Sequence, residues 1–167
     1  MINVYSDTDF ATDPADRKSI TGMVLMINGG VTTFGNSKQP GVSRSTSEAE
    51  YIGMSDSAKR GLNDEKDSNP VPILHEDNSA AVTLTKGLKI ISAIRHIATS
   101  YDHILHKLHM GMVVTKWDPN NKMLADGFTK PLTRIIFVQK RNEIGDSRIT
   151  EVMKKILGDE SEDCVSE

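Results

Sequence analysis

One cysteine, Cys164, is the only thiol in this 167-residue chain, so no internal disulfide can form and a reducing compartment is the expected setting. No stretch approaches the ~20 consecutive apolar residues of a membrane-spanning helix. The polar N-terminus has no signal-peptide pattern, so a secreted product is not expected. Nor does any segment repeat another. What remains is ordinary for a globular domain. Hydrophobic residues make up 37% and charged residues 26%, and the length allows one domain with a real core.

A formal net charge of −3 argues at first against a nucleic-acid partner, but the charge is unevenly placed. From Glu143 onward there are eight acids and three bases. Without them, the chain's 20 bases and 23 acids become 17 and 15, a balance of +2 over residues 1–142. The segment Lys86–Trp117 is more basic still, with Lys86, Lys89, Arg95, Lys107 and Lys116 against Asp102 alone, and it holds four of the five histidines. A basic stretch on a near-neutral body suits phosphate contact; a solvated surface is the alternative.

Hydrophobic patterning predicts three strands, a helix, a strand, helices, a strand and a helix. Ile2–Tyr5 reads as a strand delivering its end to Asp7, and Asp13, Pro14 and Asp16 as a turn. Thr21–Ile27 is a buried strand joined through the tight turn Asn28-Gly29-Gly30 to Val31–Gly35. Ser45-Thr46-Ser47-Glu48 has capping-box spacing, so a helix begins at Thr46 with Tyr51, Met54, Ala58 and Leu62 as its buried stripe. Val71–His75 is a strand, Asn78–Lys86 and Ile94–His109 are helices, Met112–Trp117 is the last strand, and Asn120–Phe128 a short helix. Beyond Pro131, an amphipathic helix is expected over Ile149–Leu157, followed by an acidic tail. The fold class is therefore α/β, a five-stranded mixed sheet flanked by helices, with residues 1–140 as the domain and 141–167 as helix and tail.

Four acids stand where chemistry can use them: Asp7 and Asp77 after the first and fourth strands, Glu50 near the start of the first helix, and Asp126 on the late short helix. If those strands are parallel neighbours, Asp7 and Asp77 lie side by side at their carboxyl ends, where open α/β sheets bind ligands. Gathered carboxylates repel one another, and divalent cations remove that cost. Two cations ~3.5–4 Å apart can serve an in-line displacement at phosphorus. Acids after strands are also common as turn residues and caps, and that reading stays open.

At these residues the chain resembles the ribonuclease H domain of copia-type retrotransposon Pol polyproteins. Tyr5-Ser6-Asp7-Thr8-Asp9-Phe10, then Asp13-Pro14 and Arg17-Lys18-Ser19, is similar to the family's first block, YSDADWAGDP…RRS. Gly29-Gly30-Val31 and Ser37-Lys38-Gln39-Pro40 match the next hairpin and SKKQP. Arg44–Ile52 (RSTSEAEYI) matches STSEAEYIA, and Glu76–Ala81 takes the place of CDNQSAI. Arg95-His96-Ile97 takes that of KHI, and Leu124–Leu132 (LADGFTKPL) that of LADGLTKPL. Six ordered blocks cover roughly Val4 to Leu132. Phe10 departs from the usual tryptophan, Asn63–Pro70 is shortened, and Ala98 replaces an aspartate.

The resemblance implies a ribonuclease H-like fold and hydrolysis of the RNA strand of RNA–DNA hybrids during reverse transcription. It also implies two Mg²⁺ (Mn²⁺ as a substitute) on Asp7, Glu50, Asp77 and Asp126, with Asp7 bridging. Glu50 rather than Glu48 is the implied ligand, and Asp9 is the alternative to Asp7, expected to face away from it. Ser79, Arg95 and His96 are candidates for nucleic-acid contact. The hybrid is the implied partner, with the reverse transcriptase and integrase regions of a parent polyprotein; no membrane is involved. The expected location is a cytoplasmic virus-like particle or the nucleus. The alternative function is a catalytically silent nucleic-acid- or protein-binding remnant. His96, His103, His106 and His109 lack cysteine partners and an H-E-x-x-H arrangement, so a phosphate-facing helix is favoured over zinc.

Overall fold

In the computed structural model, residues 1–61, 70–86 and 98–145 are described. They form β1 (Ile2–Asp9), β2 (Ile20–Ile27), β3 (Gly30–Lys38), α1 (Thr46–Gly61), β4 (Ile73–Glu76), α2 (Ser79–Lys86), α3 (Ala98–His109), β5 (Val114–Trp117) and α4 (Arg134–Ile144). Two 3-10 turns, Asn120–Lys122 and Leu124–Phe128, stand where one short helix was expected. The sheet runs β3-β2-β1-β4-β5, with β1, β2 and β3 antiparallel and β1, β4 and β5 parallel. This is the expected five-stranded mixed sheet.

Strand alternation builds two cores. On one face, Val4, Met23, Leu25 and Leu74 meet Tyr51, Met54 and Ala58 of α1, Ala81 of α2 and Ile104 of α3. On the other, Val24 and Met26 meet Leu124, with Tyr5, Phe128 and Ile144 packed around them. β2 is therefore buried on both faces, which explains its nearly unbroken apolar run. The β2–β3 turn has Asn28 at φ 53° and Gly29 at φ 84°, the positive pair a two-residue hairpin demands.

The start of α1 is fixed by the expected capping box, with one difference. Ser45 Oγ accepts the Glu48 N–H at 3.2 Å, but Glu48 Oε2 accepts from Arg44 N–H at 3.0 Å rather than from Ser45. Gln39 adds a second tie, its Nε2 donating to Thr21 Oγ1 and to the Ala49 carbonyl, both at 2.9 Å. A Cβ on Gly53 would run into Thr8 and Thr21, so glycine lets α1 lie directly on the sheet. These contacts hold the second turn of α1, and Glu50 with it, above the end of β1.

α4 was not anticipated, and β1 runs four residues past Tyr5, so Asp7 lies inside a strand rather than after one. With a side-chain period of two, Asp9 shares Asp7's face; the expectation that it points away is wrong. The helix expected over Ile149–Leu157, the acidic tail, Leu62, Arg95 and His96 lie outside the described residues.

Candidate active site

The β1–β4 ladder pairs Asn3 with Ile73, Val4 with Leu74 and Tyr5 with His75. Continued by two residues, this register sets Asp7 opposite Asp77. Asp126 arrives from the second 3-10 turn, which can approach because Gly22 is paired with Asp7 on β2. A Cβ on Gly22 would stand 2.9 Å from the Ala125 carbonyl oxygen and 2.7 Å from Thr129 Cγ2. One carboxylate oxygen from each of Asp7, Asp77 and Asp126 lies within 4.8 Å of the others. Glu50, Glu76 and Asp77 make a second group of the same size. Asp77 belongs to both, Asp7 to the first alone, and Asp9 to neither. Among the described residues, no group of this kind includes a histidine.

Two ammonium groups brace the acids. Lys130 Nζ donates to Asp7 Oδ1 at 3.0 Å and Asp126 Oδ1 at 3.1 Å. Lys140 of α4, itself buried, donates to Asp126 Oδ2 at 2.9 Å, to the Asn120 carbonyl at 3.3 Å and to the Met123 carbonyl. The Thr129 hydroxyl donates to Asp7 Oδ2. Five carboxylates against two ammonium groups leave the cluster short of positive charge when ionised.

That shortage shows in the titration of the acids. Burial, with the charges of Asp7 and Asp77, pushes the Glu50 carboxyl up to about 9, against the pull of Thr8 and Lys130. Burial likewise raises Glu76 well above the usual carboxylate range, with Glu50 adding to it. Asp7 is raised by burial despite Thr129 and Lys130, and Asp77 by burial despite Lys130. Lys130 moves the opposite way: Asp7 and Asp126 outweigh its desolvation and hold it firmly protonated. Glu50 Oε2 and Glu76 Oε2 are buried with no hydrogen-bond partner among the described residues.

An open groove of about 380 Å³ reaches part of this cluster, lined by Asp9, Glu50, Asp77, Asn78, Asn120 and Lys130. Ser79 opens α2 beside it and is exposed. Beneath the groove His75 stacks on Tyr5 with ring centroids 4.4 Å apart, and its Nδ1 lies 2.5 Å from Asp118 Oδ2. His75 Nε2 is 3.0 Å from Asn3 Oδ1, so β1, β4 and the loop after β5 are tied together under the acids.

Of the four acids expected from sequence, Glu50 and Asp77 line this groove, while the buried Asp7 and Asp126 join Asp77 in the first carboxylate group. Thr129, Lys130, Lys140 and Glu76 were not singled out. Thr129 and Lys130 could have been, since they follow Asp126 by three and four residues, a spacing that favours contact. Nothing in the pattern around Lys140 marks it.

No family model matches the chain. It is 30% identical over 152 residues to the retrovirus-related Pol polyprotein from transposon RE2 of Arabidopsis thaliana, covering 86% of this chain and 10% of that one. The corresponding polyprotein from transposon RE1 of the same plant is 30% identical over 159 residues, covering 89% and 11%. The chain thus spans about a tenth of the length of these relatives. Among solved structures, RNase H1 of Halobacterium salinarum superposes with a TM-score of 0.55 at 17% identity, covering 76% of this chain and 92% of that one. LC11-RNase H1, solved in complex with an RNA/DNA hybrid, gives 0.57 at 16% identity, with 77% and 93% covered.

Proposed function

We propose that this homologue of retrotransposon Pol polyproteins, whose fold is that of ribonuclease H, hydrolyses the RNA strand of RNA–DNA hybrids as a metal-dependent endonuclease. The observation that carries the reading is the convergence of Asp7, Asp77 and Asp126, with carboxylate oxygens within 4.8 Å, at the carboxyl ends of two parallel strands. The copia-type blocks and the Pol polyprotein relatives support a polyprotein context, with reverse transcriptase and integrase regions as the proposed neighbours and a cytoplasmic virus-like particle or the nucleus as the proposed location. A solved neighbour bound to an RNA/DNA hybrid supports that substrate.

The donor set fits Mg²⁺ or Mn²⁺: oxygen ligands only, an excess of negative charge, and a buried Glu50 oxygen without a partner. Asp7, Glu50, Asp77 and Asp126 would hold the ions. Bound there, two divalent cations would supply charge neutralisation and water activation for displacement at phosphorus, leaving 5′-phosphate and 3′-hydroxyl ends. The chain's own residues do the positioning. Thr129 fixes the rotamer of Asp7, Lys140 that of Asp126, and the His75–Asp118 pair steadies β4 below Asp77. Asn78, which lines the groove, and the exposed Ser79 beside it are the proposed contacts for a sugar–phosphate backbone.

The test is direct: the purified chain is incubated with end-labelled hybrid, with and without Mg²⁺ or Mn²⁺. Cation-dependent scission of the RNA strand alone is expected. A second reading, a silent remnant that binds nucleic acid or protein, is favoured by one observation, the Lys130 ammonium already seated between Asp7 and Asp126. Hybrid binding without scission under either cation would overturn the first reading in its favour.

A further inference from the structure

Glu76 is a fifth carboxylate, buried and grouped with Glu50 and Asp77, standing where the resembling block has cysteine. It ends β4, where alternation gives it the same face as the core residue Leu74, toward α1. Its backbone cannot give way. Glu76 is paired with Trp117 on β5, and its carbonyl accepts the Asp118 N–H at 3.0 Å. The side chain is 0% exposed. Oε1 accepts the Asn78 N–H at 3.2 Å, while Oε2 has no hydrogen-bond partner among the described residues. Glu50 Oε2, on a residue 4% exposed, is in the same condition. Both belong to the group whose oxygens, with one from Asp77, lie within 4.8 Å. Neither lysine bonds to Glu50 or Glu76; both are spent on Asp7 and Asp126.

A buried carboxylate with one oxygen left unpartnered is disfavoured, and two of them in one group more so. We propose that Glu76 is itself a metal ligand, forming with Glu50 and Asp77 a three-carboxylate cation site that fills without nucleic acid. This rests on the active-site reading above and extends it to one more residue. Mg²⁺ sites in phosphoryl-transfer enzymes commonly use one or two carboxylates and leave the remaining positions to water and substrate phosphate. A third carboxylate makes up the negative charge that the substrate would otherwise bring. The position beside Glu50 is then occupied before the hybrid arrives, whereas the position beside Asp126, already braced by two ammonium groups, depends on it.

The experiment counts Mn²⁺ bound to the full chain by electron paramagnetic resonance, without nucleic acid. Wild type is compared with Glu76→Gln, Glu50→Gln, Asp77→Asn and Asp126→Asn. One ion should bind wild type, with affinity reduced at least about tenfold by Glu76→Gln, Glu50→Gln or Asp77→Asn and little changed by Asp126→Asn. Glutamine keeps the shape and removes the buried charge, so Glu76→Gln should melt in EDTA no lower than wild type; Glu76→Thr, with a strand-forming residue, repeats the test should glutamine disturb the fold. Unchanged affinity in folded Glu76 variants, while Glu50→Gln and Asp77→Asn weaken it, overturns the role of Glu76 and leaves the active-site reading standing. A wild-type chain that takes up no Mn²⁺ at millimolar concentration overturns both.

Discussion

Lys130 Nζ sits 3.0 Å from Asp7 Oδ1, across 123 residues of chain, and completes with Asp126 a bridge in which an ammonium group lies between two carboxylates. A positive charge there does in part what a cation would do: it lets Asp7 and Asp126 approach without mutual repulsion. Lys130 is partly open to the groove, so its charge can yield to a stronger one.

Replacing Lys130 with methionine should therefore act in opposite directions with and without metal. In EDTA the variant should lose about 1–2 kcal/mol, a buried-pair loss discounted for the exposure of the lysine. The rise in melting temperature on adding Mg²⁺ should be larger than in wild type, since the ion meets no competitor. Thermal melts of both proteins in EDTA and in Mg²⁺ decide it; an equal Mg²⁺ increment would show that Lys130 does not compete.

Asp7→Asn should lower hybrid cleavage by a factor on the order of a hundred or more, as loss of a principal electrostatic group does in other active sites. Its fold should persist, because an amide oxygen can still accept from Lys130 or Thr129. Cleavage rates, with circular dichroism as the folding control, make the measurement. A rate within threefold of wild type would remove Asp7 from the chemistry.

The metal-free chain should lose stability between pH 7 and pH 9. Glu50 titrates near 9 in the folded state, and Glu76 is raised well above its ordinary value, so the folded protein holds protons that the unfolded chain releases above about 4.5. That stabilisation is complete below the unfolded value and disappears as pH rises through the folded one. Asp7, Asp77 and Lys130 are the charged neighbours of these two groups; the two acids shift in the same sense, and Lys130 stays charged throughout. His75 is depressed and acts only at lower pH, where its protonation would destabilise. Melting temperatures in EDTA should fall across this window, and saturating Mn²⁺ should flatten or reverse the trend. A rise with pH in EDTA would contradict the buried, protonated carboxyls.

Gly22→Ala should damage activity more than stability. The added methyl must displace the Ala125 carbonyl or the Thr129 side chain, at a cost of about 1–3 kcal/mol by the usual scale of overpacking. The displacement falls on the turn that presents Asp126 and on the threonine that holds Asp7. Cleavage should drop at least about tenfold in a protein that still melts cooperatively, since misplacement by an ångström is enough. Full activity in this variant would mean that the turn adjusts without moving Asp126.

Much of this architecture is legible in the residues because local and global preferences agree. The Asn28-Gly29 turn, the Ser45–Glu48 cap and the Tyr51–Met54–Ala58 stripe each specify one local structure, and the sheet accepts all of them. The four acids could be singled out because strand ends and a helix start are where such groups converge. α4 escaped notice because Ile135, Ile136 and Phe137 are largely exposed, so its sequence has no clean apolar stripe. Lys140 acts through a pairing 14 residues distant, and Lys130 reaches Asp7 across 123, which no periodicity records; only its i,i+4 pairing with Asp126 is local. Glu76 carries no such local signal, since adjacent residues of a strand face opposite ways; β4 ends at Glu76 and the chain bends at Asp77, where both acids enter one group.

Thr129 and Lys130 reach Asp7 from 122 and 123 residues downstream. On a ribosome, the first strand emerges long before the groups that neutralise its aspartate exist, and the helix carrying Lys140 comes later still. Burying Asp7 in a partly synthesised sheet would leave its charge without Thr129 or Lys130, so the β1 end of the sheet must stay open or take up a proton or a cation in the interval. Charge balance at this site is thus a late event in the life of the nascent chain: a polypeptide released before residue 129 would leave Asp7 without either partner, and one released before residue 140 would leave Asp126 with Lys130 alone of its two ammonium groups.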